Sequence, residues 1–273
     1  MSSHFYKPNC ASISEQTYGF HEVPKIHYQD DTILVLYKPP SWFVHPPEDP
    51  RYRRGLKRRT CVQWLQDQHD IKAYPAHRLD AATEGILIFG KTKEATAHLN
   101  QQFKNHETQK TYHAIVRGWF KDKDSSIDLD LELDSTGTLV ACKTLYKTRA
   151  EIELPFQVNS RFQTTRYSWI EVKPVTGRWH QIRRHMNRVA HPIIGDREHG
   201  DSHHNRFFRD QLGIDGLCLS AVQLNLRHPG TEKEISFSTI ETERWKKLET
   251  IFGISGPAME TPNHSPSAIL DIR

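Results

Sequence analysis

The chain has 273 residues, with 37 Lys and Arg against 33 Asp and Glu, a net charge of +4 and 36% hydrophobic residues. A mean hydropathy of -0.69 describes a polar, mildly basic protein, and no apolar run approaches the roughly 18 to 20 residues of a membrane helix. Cys10, Cys61, Cys142 and Cys218 are far apart and form no CxxC pair, so the expectation is reduced thiols in a cytosolic chain, with neither a disulfide framework nor a zinc knuckle.

The N-terminus MSSHFYKPNCASISEQ lacks the basic segment and apolar core of a signal peptide, and residues 1–24 read as a loosely held polar arm. IHYQDDTILVLYKPP predicts a hairpin that turns at Asp30-Asp31 and continues as an apolar strand from Ile33 to Tyr37, stopped by Pro39-Pro40. RYRRGLKRR, Arg51 to Arg59, is a dense cationic loop. Thr60 caps a short helix, CVQWLQDQ, with Val62 and Leu65 on one face.

AHRLDAATEGILIFG, Ala76 to Gly90, sets an acid, Asp80, just ahead of a buried strand from Gly85 to Phe89. A carboxylate at the edge of a core must be paired or solvated. An Asx-turn, a structural ion pair and a functional acid all fit that position.

Thr92 then caps KEATAHLNQQFKNH, whose Ala95, Leu99 and Phe103 form one stripe. KTYHAIVRGWF alternates as a strand with Tyr112, Ala114 and Val116 on one face, where a tyrosine is ordinarily a core residue with a bonded hydroxyl. Ile127 to Leu133, Glu151 to Phe156 and RYSWIEVKP continue the strand signal up to a Thr176-Gly177 turn.

Arg178 to Ala190 is a helix candidate. At about 100° per residue, Trp179, Ile182, Met186, Val189 and Ala190 fall in one apolar arc, and Arg184 and Arg188 lie opposite, free to reach solvent or phosphate. Arg183 sits at the margin of the buried arc. A half-buried guanidinium needs an anion, and Asp80 is the conspicuous candidate. Leu217 to Leu226 and Glu234 to Thr239 form a late hairpin, Glu241 to Phe252 a final helix, and residues 254–273 a tail with the composition of disorder.

Strands joined as hairpins with helices between them predict an α+β domain over residues 25–253, with a mixed or antiparallel sheet. The cationic loop at Arg51 to Arg59 and a second cluster, RWHQIRRHMNR from Arg178 to Arg188, suit a phosphate backbone, although a merely solvated charged face has the same composition. His199, His203 and His204 superficially suggest a metal, but they lie in a polar stretch without cysteine or paired helical spacing, so no metal site is expected. No GxSxG elbow supports a hydrolase triad.

HRLDAATEG resembles the HRLD-x-x-T-x-G signature of the RluA family of pseudouridine synthases. KPPSWFVHP, KTYHAIV, GRWHQIRRH and HPIIGDREHGD are similar to that family's other motifs, in the same order, over roughly residues 25 to 245. SRFQTTRY and QIRRHMNRVAHPIIGDREHGD look like its tRNA pseudouridine synthase C subgroup, which modifies uridine 65 of tRNA; the lack of a separate N-terminal RNA-binding domain fits that choice.

The resemblance implies the pseudouridine synthase fold: a bent central sheet, flanking helices and a central RNA-binding cleft. It implies a catalytic trio of Asp80, Tyr112 and Arg183, no cofactor, a tRNA partner and a cytoplasmic monomer that needs no other protein. Asp80 would act at C1′ as nucleophile or at C2′ as base, Arg183 would keep it ionised, and Tyr112 would stack on the flipped uracil. Arg78 would fill the vacated stack, with Arg53, Arg54, Arg58, Arg59, Arg184 and Arg188 on the RNA backbone. A synthase for ribosomal RNA and a non-catalytic RNA-binding protein or RNA chaperone are the alternatives. Ser41, Ala81, Ala82, Glu84 and Ser220 depart from the residues usual in the family.

Overall fold

The computed structural model describes residues 22–46, 60–133, 136–239 and 242–254. The arm up to residue 21, the cationic stretch 51–59 with Arg53, Arg54, Arg58 and Arg59, and the tail from 255 lie outside the described residues. In chain order the elements are β1 (Lys25–Gln29), β2 (Ile33–Lys38), α1 (Cys61–His69), β3 (Tyr74–Pro75), β4 (Glu84–Gly90) and α2 (Lys93–Lys104). They continue with β5 (Gln109–Arg117), β6 (Asp124–Asp128), β7 (Leu131–Glu132), β8 (Leu139–Val140), β9 (Lys143–Leu154) and β10 (Thr165–Pro174). Last come α3 (Gln181–Arg188), α4 (Ser202–Leu212), β11 (Leu219–Arg227), β12 (Glu234–Ser238) and α5 (Glu243–Phe252).

One mixed sheet runs in the order β1-β2-β4-β11-β5-β10-β9-β6, with β12 on β11 and β3 on β4. Its pairs are antiparallel except β4 with β11, which run parallel at Glu84–Ser220 and Gly85–Ala221. That junction needs a glycine: Gly85 has φ 117°, and a Cβ there would sit 2.2 Å from the Ala221 carbonyl oxygen.

Strand alternation divides the core. Leu34 and Leu36 of β2, with Leu87 and Phe89 of β4, join a cluster that also holds Leu65 of α1 and Ile182 and Met186 of α3. Ile33, Val35, Ile86 and Ile88 join the other, with Leu99 of α2. The sheet thus has α1 and α3 on one face and α2 on the other. Tyr112 and Ala221 belong to the α3 side.

The capped helices follow the sequence closely. Thr60 accepts from the Gln63 amide at the start of α1, and Thr92 from the Ala95 amide at the start of α2. Elsewhere tertiary structure overrides the local pattern. The expected strand over 127–133 divides into parts of β6 and β7, and β9 begins eight residues before the expected Glu151 (151 − 143). The early half of β9 carries many polar side chains, which hid its alternation. The residues after 201 form α4, capped by Asp201 and burying Phe207, Phe208 and Leu212.

The helix expected over 178–190 is only α3. His180 takes a left-handed φ of 49° at its N-cap, so Trp179 lies outside the helix and stays 42% exposed rather than joining the apolar arc. Ala190, with φ 63°, also lies beyond the helix and is exposed.

The described residues fall into two units divided between Ile240 and Glu241. The second contains α5, opened by a Thr242 cap on the Trp245 amide. The expected domain over 25–253 spans this division. No helix among the described residues is long and apolar enough to cross a membrane.

Candidate active site

Asp80 lies on the loop that enters β4. The loop turns through a Thr83 amide to Asp80 carbonyl bond of 3.1 Å, and is held from outside by Lys38 at the end of β2. Lys38 is fully buried and its ammonium donates to the carbonyls of Pro39, Trp42 and Ala81 at 3.1, 2.9 and 3.0 Å. Those bonds use all three ammonium hydrogens, so the charged form is the one that fits. Burial pushes the Lys38 pKa down to about 8, with nearby Asp80 and Glu84 opposing.

Ser41 adds a second tie, its amide donating to the Ala81 carbonyl at 2.8 Å. Ser41 has φ 66°, a left-handed conformation natural to glycine. Behind the loop, His77 accepts from the Ile88 amide at 3.2 Å and stacks on Phe103. Burial pushes the His77 pKa down to about 3, so this histidine is a neutral support. Glu84 is buried and accepts from the Tyr37 hydroxyl at 2.5 Å.

Tyr112 reaches the same face through the sheet. Gly85 pairs with Ala221, Ala221 with Tyr112, and Tyr112 with Val172, so a single small residue separates the tyrosine's strand position from β4. Tyr112 is 9% exposed, and among the described residues its hydroxyl has no hydrogen-bond partner, unlike an ordinary core tyrosine. Burial and the nearby Asp80 charge raise its pKa.

Arg183 comes from α3 and is only 3% exposed. Its guanidinium Nη1 lies 3.6 Å from Asp80 Oδ2, so the expected pair exists. It is not the main one. Nε and Nη2 each donate to Asp196 at 2.7 Å, a two-pronged bond to a carboxylate that is 2% exposed. Nη1 also donates to His180 Nε2 at 2.7 Å, and Nη2 lies 3.3 Å from Glu198. Asp196 Oδ1 further accepts from the amides of Glu198 and His199 at 3.0 Å each. Sequence reasoning passed over Asp196; its only signal was an acid in the loop directly after the helix.

The two carboxylates titrate oppositely. Burial would raise the Asp196 pKa, but the Arg183 hydrogen bonds and charge and the two amides outweigh it and hold the group below the ordinary carboxylate range. Burial also raises Asp80, and there Arg183, Arg78 and Lys38 only partly offset it, leaving it above the usual value. The expectation that Arg183 favours ionised Asp80 holds in sign and not in net result. Burial opposes the charge on Arg183 itself, yet Asp196, Asp80 and Glu198 raise its pKa, so it stays cationic.

The Asp80 side chain keeps 20% exposure, so a substrate can reach it. Arg78 is exposed and adds positive charge beside Asp80. Arg184 and Arg188 leave α3 on its outer side, but each donates to a carbonyl, Glu132 at 2.9 Å and Asp130 at 2.6 Å. They therefore hold the β7 region as well as facing solvent. Trp179 stacks on His180 with centroids 3.7 Å apart and presents an exposed indole next to the site.

The three histidines grouped by sequence separate. His203 is exposed and His204 is buried against the Tyr167 hydroxyl at 2.8 Å. His199 instead meets His180, Nε2 to Nδ1, at 3.0 Å.

The RNA pseudouridylate synthase family model matches residues 32–188. A protein named tRNA pseudouridine synthase C from Vibrio vulnificus is 37% identical over 233 residues, covering 82% of this chain and 93% of that one. The protein of the same name from Yersinia pestis is 37% identical over 247 residues, covering 86% and 93%. Two solved human structures, RNA Pseudouridylate Synthase Domain Containing 1 and Containing 4, superpose with a TM-score of 0.61 each at 21% and 19% identity. They cover 81% and 84% of this chain, and 84% and 92% of their own, and share its fold.

Proposed function

The chain belongs to the RNA pseudouridylate synthase family, and from that premise we propose that it isomerises uridine to pseudouridine in tRNA, at uridine 65. The observation that carries the reading is the convergence of Asp80, Tyr112 and Arg183 on one face of the sheet, with Asp80 accessible and Arg183 fixed by another acid. A protein that only bound RNA would have no use for an accessible carboxylate kept in a partly desolvated pocket beside a bound cation.

A stacked, paired uridine cannot present its glycosidic bond, so the base is extruded, at a cost of a few kcal/mol that backbone contacts and stacking must recover. Asp80 acts on the sugar, as nucleophile at C1′ or base at C2′. The N1–C1′ bond breaks, the uracil rotates, a C5–C1′ bond forms, and the proton lost at C5 is balanced by one taken up at N1, with no redox step and no cofactor. Tyr112 stacks on the uracil, and its hydroxyl, which has no hydrogen-bond partner among the described residues, acts near C5. Arg78 occupies the vacated stack, and Arg184, Arg188 and the cationic stretch 51–59 hold phosphates. The protein works as a cytoplasmic monomer.

Mapping pseudouridine in folded, unmodified tRNA after incubation with the protein tests this. Product at position 65 alone, absent when U65 is changed to C, is expected; conversion of a ribosomal-RNA fragment with tRNA untouched would overturn the substrate. Tyr112→Phe should preserve RNA binding and Tyr112→Leu weaken it, and equal behaviour of the two would remove the stacking role.

A further inference from the structure

We propose that His180, Glu198 and His199 form a site for a zinc-type divalent transition metal beside Asp80, and that filling it inhibits the enzyme. Two imidazole nitrogens and a carboxylate oxygen are a donor set suited to such an ion. The three ligand atoms lie within 4.8 Å of one another. His180 Nδ1 is 3.0 Å from His199 Nε2 and 3.5 Å from Glu198 Oε2. Bonds near 2.1 Å in a tetrahedron set ligand atoms about 3.4 Å apart, so both distances are close to what an ion between them requires.

The surrounding hydrogen bonds prepare the site. Asp196 Oδ1 accepts from the backbone amides of both Glu198 and His199, which fixes the two ligands that come from the loop. Asp196 is itself saturated by Arg183 and is not a ligand. Glu198 is 56% exposed, so the site opens to solution and leaves room for water as a fourth ligand.

The inhibitory effect follows from the tautomer of His180. Arg183 Nη1 donates to His180 Nε2, so that nitrogen carries the lone pair and Nδ1 carries the hydrogen, which it donates to His199 Nε2. A metal takes the His199 Nε2 lone pair as it stands. On His180 it needs the Nδ1 lone pair, so the proton moves from Nδ1 to Nε2 with no net release. The new Nε2–H faces Asp80 Oδ2 at 3.6 Å, and Arg183 Nη1 loses its acceptor. Metal binding thus breaks the arginine–histidine bond and turns an N–H toward the Asp80 carboxylate, the order of groups found in carboxylate–histidine–metal chains at zinc sites. A divalent cation and an N–H then both face Asp80, which lowers the nucleophilicity and basicity of its carboxylate. The metal-free protein is the active form.

The inhibitory half rests on the proposed reaction; the binding half does not, and the test separates them. Purified protein is stripped with a chelator, freed of it and titrated with Co2+. Visible bands of tetrahedral cobalt at one equivalent, bleached by Zn2+ and lost in His199→Ala but kept in His203→Ala, are expected. No bands in the parent, or bands unchanged in His199→Ala, would overturn the site whether or not the protein modifies RNA. In the turnover assay, each variant measured against its own metal-free rate, His199→Ala should need at least about tenfold more Zn2+ for half inhibition. Equal sensitivity of parent and His199→Ala would overturn the inhibition.

Discussion

Two loops bring a carboxylate to the same guanidinium, and the molecule uses them differently. The loop after α3 delivers Asp196, buried, doubly bonded to Arg183 and further tied to two amides. The loop before β4 delivers Asp80, partly exposed and 3.6 Å from Arg183. A guanidinium satisfied by one acid can place its charge beside a second without tying up that second acid's oxygens. Asp196 anchors Arg183, and Asp80 is left with accessible oxygens, as the proposed reaction requires.

The largest expected effect tests that division on the reactive side. Asp80→Asn should reduce turnover below about one-thousandth of the parent rate while RNA affinity stays within a few-fold. The folded protein should be no less stable, because Asp80 is disfavoured as an anion where it sits. A variant that still turns over near the parent rate, or that melts well below it, would erase the distinction.

Asp196→Asn should act the other way. It leaves Arg183 buried without its main partner and should cost roughly 3–5 kcal/mol of stability, read from the urea midpoint at unchanged m-value. Activity should fall as well, since Arg183 is then free to close on Asp80. A midpoint equal to the parent's would show that Asp80 alone suffices to hold Arg183.

The pH dependence sharpens the contrast, since the carboxylates have opposite signs. The folded pKa of Asp196 lies below its unfolded value of 3.8, so its stabilisation is present above pH 3.8 and lost as pH falls through the folded value. Asp80 has a folded pKa above 3.8, so its contribution to stability declines as pH rises from there through the folded value. Turnover, which in the proposed reaction needs the Asp80 anion, should fall on the acid side at a pH above the ordinary carboxylate range. Measured in parallel, the acid limb of activity should lie at higher pH than the acid loss of structure; coincident curves would contradict the assignment.

The smallest effect concerns how the reactive loop is held. Ser41→Gly relieves a left-handed backbone at a residue bonded to Ala81, and should raise stability by less than about 1 kcal/mol, because glycine also loosens the unfolded chain. A clear loss of stability would mean that the serine side chain has a role the backbone does not reveal.

Distinctive motifs in the sequence pointed to Asp80, Tyr112 and Arg183, and the fold brings the three near one another. The helix caps Thr60 and Thr92 and the buried strands β2 and β4 were legible because capping and side-chain alternation act over a few neighbouring residues. The principal partner of Arg183 was not. An arginine's charge calls for an acid but cannot name one, and only the path of the chain after α3 brings Asp196 into the fork while holding Asp80 farther away. The same applies to Lys38, whose three carbonyl acceptors include one 43 residues away, and to His180, which meets His199 across 19 residues. The outward turn of Trp179 depends on the left-handed backbone of His180, which helical periodicity does not reveal. What the sequence determined by itself was set by forces between near neighbours; what the tertiary structure decided was which of several chemically adequate partners the folded backbone brings within bonding distance.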